Sequence, residues 1–120
     1  MSTQKTWTNW TNQHISKAQD MYFKLLHAAN AGEITETIAV EEVRSALENM
    51  QFCTGISLKN NRVEEAGLQL FVISAARIDA IVKVVADVPA TDRVRLRTKI
   101  RENTMRREKE LYEEWENLSR

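Results

Sequence analysis

The fold is decided by residues 66–85, which read AGLQLFVISAARIDAIVKVV. This segment is apolar nearly all round a helical wheel, and only a narrow polar line interrupts it. Its many β-branched residues would also suit buried strands, but the run is longer than an ordinary strand and has no internal turn residues. We therefore predict a helix over residues 61–87 that lies at the centre of the fold and is surrounded by other helices.

Amphipathic segments flank this central helix on both sides. Apolar residues that recur at three- and four-residue steps predict further helices at approximately 8–30, 35–54 and 90–119. Residues 61–64, NRVE, resemble a capping box, and Gly32, Gly55 and Pro89 mark helix ends. Short connections such as residues 31–35 make neighbouring helices antiparallel. The sequence thus predicts one all-α domain over residues 1–120: a four-helix bundle with short connections and a long charged C-terminal helix whose C-terminal end overhangs the bundle.

Composition narrows the functional classes. The chain has 120 residues, equal numbers of basic and acidic side chains, and a net charge of zero, which excludes a domain that is basic all over. Cys53 is the single cysteine, so no intramolecular disulfide forms and a reducing compartment is expected. The N-terminus has no apolar signal region, and no apolar run approaches the ~20 residues of a membrane span. We therefore predict a cytoplasmic protein without membrane contact.

Charge is sorted along the fourth helix. Residues 93–109 carry eight basic side chains and two acidic ones, a net charge of +6 over 17 residues, and four glutamates follow in residues 110–116. Such a cluster of one sign is typical of an anionic contact. The possible phosphate-binding residues are Arg93, Arg95, Arg97, Lys99, Arg101, Arg106, Arg107 and Lys109.

The apolar face of the fourth helix also carries arginines. Its seam runs through Leu96, Ile100, Thr104, Leu111, Trp115 and Leu118 at steps close to those of a coiled coil, and Arg93, Arg97 and Arg107 share that face. Because a buried unpaired charge is costly, three interpretations stay open for these arginines. They pair with Glu41, Glu42, Glu64 or Glu65 inside the bundle, they dock the helix on a partner protein or a second copy, or they contact a phosphate backbone.

Aromatic residues supply the remaining interface candidates. Trp7 and Trp10, at the start of the first helix, either cover one end of the core or form an exposed patch for a partner. Aromatic and arginine side chains dominate interface energetics, so those near the end of the chain are natural anchors. The predicted protein-interface residues are Arg97, Arg107, Tyr112, Trp115, Leu118, Trp7 and Trp10.

No motif in the sequence indicates a catalytic, metal-binding or phosphate-loop site. His14 and His27 do not share a helix face and lack ligands at metal-binding spacing, and neither a nucleophilic triad nor a glycine-rich phosphate loop occurs. We therefore predict no catalytic residue, metal, cofactor or small-molecule substrate. The functional hypothesis is a small non-enzymatic interaction module, of the kind that serves as an adaptor, regulator or inhibitor subunit, that binds a protein partner or itself through the C-terminal helix. The alternative is a nucleic-acid backbone-binding subunit that uses residues 93–109. Small helical bundles also occur among phage and mobile-element regulators, but this analogy rests on the fold class alone.

Overall fold

Four helices make up the fold. The computed structural model describes residues 3–32, 37–60, 62–89 and 91–120. The helices are α1 (Thr3–Asn30), α2 (Thr37–Thr54), α3 (Glu65–Asp87) and α4 (Arg93–Leu118), and the described residues contain no β-strand. The prediction of an all-α four-helix bundle is confirmed.

Three helix starts differ from their predicted positions. Helix α1 begins five residues early, because Trp7 is fully buried and its indole Nε1 donates a hydrogen bond to the Cys53 carbonyl, 3.2 Å away. Helix α3 begins at Glu65, and Glu64 makes no side-chain capping bond, so the predicted start in a capping box is wrong. Helix α4 begins at Arg93 after Asp92, whose carboxylate accepts a hydrogen bond from a backbone amide of the first turn. Predicted helical positions 35, 36, 61 and 90 lie outside the described residues.

Helix α3 is central, as predicted. It packs against α1, α2 and α4, and α1 also packs against α2. Its inner residues Phe71, Val72, Ile78 and Ile81 are at most 1% exposed. An ion pair between Arg77 and Glu42 also joins α3 to α2, at 2.7 Å.

The prediction that other helices surround α3 outside a narrow polar line is wrong for two apolar residues of its N-terminal half. Leu70 is 36% exposed and Ile73 is 45% exposed. Helices α2 and α4 both pack on α3 but have no extensive contact with each other among the described residues. The face of α3 that carries Leu70 and Ile73 stays exposed.

The C-terminal part of α4 does not overhang the bundle, so that prediction is also wrong. Leu111 is fully buried and Trp115 is 7% exposed, whereas Leu118 is 50% exposed. The helix leaves the core only after Trp115, because the tryptophans of α1 cover that end of α4. None of the described helices combines the length and the apolar character that crossing a bilayer requires.

Candidate binding surface on the fourth helix

The inward face of α4 is the predicted seam. Leu96, Thr104, Leu111 and Trp115 are buried, and Ile100 is half-buried beside them. A seam with steps of three and four residues keeps one face of a helix on its neighbour. The seam therefore orients α4, and it decides which of the helix's charged residues point away from the bundle.

Three of the predicted interface residues form one aromatic cluster inside the core. Trp7, Trp10 and Trp115 are 0%, 2% and 7% exposed. The Trp115 ring centroid lies 5.2 Å from those of both Trp7 and Trp10, and Phe71 of α3 completes the cluster at 5.5 Å from Trp7. These tryptophans belong to the core of the folded chain, so the hypothesis that they form an exposed anchor patch is wrong for this structure.

A polar clamp beside this cluster joins α1 to α4. Trp10 Nε1 lies 2.6 Å and His14 Nε2 2.7 Å from the same Glu114 carboxylate oxygen. Partial burial tends to raise the pKa of Glu114, but the hydrogen bonds from His14 and Trp10 outweigh it and hold that pKa below its usual value. His14 therefore already has a hydrogen-bond partner within the chain.

Arg107 is also satisfied within the chain. Its guanidinium is half-buried and donates to Asp79 of α3 at 2.6 Å and to Glu110 at 2.9 Å. Burial tends to lower the pKa of Arg107, yet the two carboxylates raise it above its ordinary value. The sequence correctly indicated that this arginine needs an acidic partner, but the four glutamates proposed for that role were wrong for Arg107.

The other basic residues of the segment stay at the surface. Lys99 reaches Glu102 at 3.8 Å, and Arg106 bonds to the neutral side chain of Asn103. The remaining members of the predicted phosphate-binding set are exposed. Six of the eight basic residues have no acidic partner among the described residues: Arg93, Arg95, Arg97, Arg101, Arg106 and Lys109. Residues 93–109, hereafter the basic segment, therefore present to solvent a positive charge that the described acidic residues compensate only in part.

A cavity of about 170 Å³ opens beside the basic segment, where α2, α3 and α4 meet. Arg93, Arg97 and Glu42 lie at its polar edge. Glu42 already accepts a hydrogen bond from Arg77 at 2.7 Å, and neither α4 arginine has an acidic partner among the described residues. The apolar lining consists of Ala39, Ile81, Val85, Leu96 and Ile100.

The last two predicted interface residues differ in exposure. Tyr112 is half-buried against the core, and burial together with Glu108 and Glu65 raises its pKa. Leu118 is 50% exposed. Of the seven predicted interface residues, only Arg97 and Leu118 are fully at the surface.

Several exposed apolar residues escaped the sequence interpretation. Leu70 and Ile73 lie on one face of α3, Met105 is 64% exposed on α4, and Phe52 is 69% exposed on α2. Leu70 and Ile73 have the same helical spacing as core residues of α3, so periodicity could not separate them from the core. The only sequence signal was Arg77, a charged residue four positions beyond Ile73 in the same row.

The described residues provide no group of three or more His, Cys, Asp or Glu side chains that could hold a metal ion. Cys53 is fully buried, and burial raises the pKa of its thiol, as in an inert core cysteine. No protein-family model, curated protein or solved structure matches this chain. Among the described residues, the surface of α4 and the cavity beside it are the features that bear on function.

Proposed function

We propose that the chain is a small non-enzymatic interaction module that binds an acidic surface of a partner protein through the basic segment of α4. The observation that supports it is the charge on that segment, six of whose eight cations have no acidic partner among the described residues. The acidic surface belongs to a different protein or to a second copy of this chain. The proposal retains the cytoplasm as the location, in keeping with the single free thiol.

The cost of this arrangement supports the proposal. Arg93, Arg97 and Arg101 follow one another at four-residue steps and are all exposed. Like charges at that spacing destabilise a helix by about 0.2–0.5 kcal/mol per pair. A partner that supplies carboxylates would convert this repulsion into charge-assisted hydrogen bonds, which Arg makes in a bidentate geometry.

A matched pair of triple variants tests the proposal. The first is Arg93→Gln, Arg97→Gln and Arg101→Gln. The control is Lys17→Gln, Lys24→Gln and Lys83→Gln, which removes the same charge from exposed sites outside the basic segment. Binding to labelled poly-L-glutamate is followed by fluorescence anisotropy at about 50 mM salt, where electrostatic affinity is high.

We expect the wild type and the lysine triple variant to bind poly-L-glutamate and the arginine triple variant to lose most of that affinity. Equal affinity of the two triple variants would show that binding follows net charge and not the basic segment. Absence of binding by the wild type would refute the proposal outright.

A nucleic-acid backbone is the second candidate partner. The exposed cations of the basic segment favour it, since contacts between Lys or Arg and phosphates dominate nonspecific affinity. Exposed Glu113 and Glu116 near the end of α4 oppose it, because they repel a longer polyanion. Filter binding to duplex and single-stranded DNA in the same buffer separates the candidates. DNA binding that is tighter than poly-L-glutamate binding, and that falls steeply with salt, would favour this alternative.

A further inference from the structure

A strip of side chains runs along α3 towards the cavity where α2, α3 and α4 meet. Leu70, Ile73, Arg77 and Ile81 follow at steps of three, four and four residues, so they share one helix face. The first two are exposed apolar residues, and Ile81 and Val85 line the cavity at the other end of the strip. From Leu70 to Val85 the strip is about 22 Å long at 1.5 Å per residue, or four helical turns.

The strip forms the floor of a groove whose two walls are α2 and α4, and these two walls differ in charge. Helix α2 contributes Glu42, which Arg77 neutralises across the groove at 2.7 Å. Helix α4 contributes Arg93 and Arg97, which lie at the cavity edge and have no acidic partner among the described residues. The groove therefore has a floor that is apolar except for Arg77, whose charge Glu42 neutralises, and it has one cationic wall.

We infer that this groove binds an amphipathic α-helix of a partner protein that carries acidic residues along one flank of its apolar face. The inference rests on the proposed function and specifies its partner. A row of apolar side chains on that helix would cover Leu70 and Ile73, and its carboxylates would meet Arg93 and Arg97. Docking of an apolar helix face into a groove, with anchors three and four residues apart, is a common recognition mode.

The cavity defines one anchor of the bound helix. At about 170 Å³ it is comparable to an apolar cavity of ~150 Å³ that holds a benzene molecule. It therefore fits one aromatic ring or one branched aliphatic side chain, placed next to the carboxylates that meet the arginines at its edge.

Two other occupants fit less well. An extended polyanion would use the arginines but would leave Leu70 and Ile73 uncovered. The chain's own acid-rich segment, residues 110–116, already uses Leu111 and Trp115 in its own core, so a second copy has no free apolar anchors there. An acidic amphipathic helix would cover the exposed apolar residues of the floor and would also place carboxylates against the arginines of the cationic wall.

A synthetic peptide of 18 residues tests the inference. It carries leucines at three- and four-residue steps, glutamates along one flank and an N-terminal fluorophore, and its control is a scrambled peptide of the same composition. The test variants are Ile73→Glu and Arg97→Glu. The matched control is Arg106→Glu, because Arg106 is nine residues from Arg97 and points to the opposite side of α4 at 3.6 residues per turn. Circular dichroism melting confirms that each variant folds, since all three positions are exposed.

We expect anisotropy titrations to show that the wild type binds the amphipathic peptide at least about tenfold more tightly than the scrambled one, a difference of about 1.4 kcal/mol. Ile73→Glu and Arg97→Glu should each remove that preference, and Arg106→Glu should retain it. If Arg97→Glu and Arg106→Glu weaken peptide binding equally, the inference that the peptide binds in the groove is overturned, and the proposed function is retained. Loss of peptide binding with retained poly-L-glutamate binding would do the same. Failure of both probes would overturn both proposals.

Discussion

Replacement of Trp115 by alanine should destabilise the fold, not merely a surface. Trp115 is 7% exposed and its ring packs against Trp7 and Trp10 at 5.2 Å. Truncation of a buried Trp to Ala costs about 3–5 kcal/mol through lost burial and the cavity that remains. A domain of 120 residues has a total stability of about 6–18 kcal/mol, at roughly 0.05–0.15 kcal/mol per residue. The variant should therefore lose a large fraction of its free energy of unfolding.

Leu118 is the matched control, because it lies three residues further along the same seam and is 50% exposed. Urea titration should show Leu118→Ala within about 1 kcal/mol of the wild type. Trp115→Ala should shift the urea midpoint strongly with little change in the slope, and its melting temperature should fall by about 12–20 °C, at roughly 4 °C per kcal/mol. Equal and small effects of the two substitutions would refute the packing of the end of α4 on α1.

Three further predictions concern the polar network and one turn. The Glu114 carboxylate has a lowered pKa, so it contributes stability that is present above the ordinary pKa of a glutamate and is lost as pH falls through the lowered value. Glu114→Gln should therefore make the free energy of unfolding less dependent on pH over that acidic range. Urea titrations at several pH values measure this dependence. Arg107→Met leaves Asp79 half-buried without its partner and should cost about 1–3 kcal/mol by thermal melting, whereas Arg106→Met at an exposed site should stay within about 0.5 kcal/mol. Gly32 has a φ of 76°, so Gly32→Ala should lower the free energy of unfolding by about 1 kcal/mol; an unchanged urea midpoint would contradict the left-handed turn.

The helices could be predicted from the sequence because their signals are local. Periodic apolar residues mark each helix, and breakers such as Gly32 and Pro89 mark the gaps between helices. The start of α1 was missed because the position of Trp7 depends on a hydrogen bond to the carbonyl of Cys53. That residue is distant in the sequence, so no local pattern reveals the contact. The start of α3 was missed because the sequence of residues 61–64 matched a capping pattern, whereas the described residues 62–64 are not helical and the helix begins at Glu65.

The candidate site was predictable only in part. The charge of the basic segment is a property of the sequence. The exposure of Arg93 and Arg97, which share the helix face of the seam, is decided only by how α4 packs on the bundle. The choice of Asp79 as the partner of Arg107 required the register between α3 and α4, which no local pattern contains. The same is true of Leu70 and Ile73, whose exposure depends on where α2 and α4 leave α3 uncovered.

The sequence by itself determined four helices, the inward seam of α4 and the separation of positive from negative charge along that helix, since each depends on residues a few positions apart. Only the tertiary structure decided that the tryptophans lie in the core, that Arg107 is neutralised and that α3 keeps an open face. Those outcomes depend on which faces meet, and helical periodicity states that a face is apolar without stating what covers it.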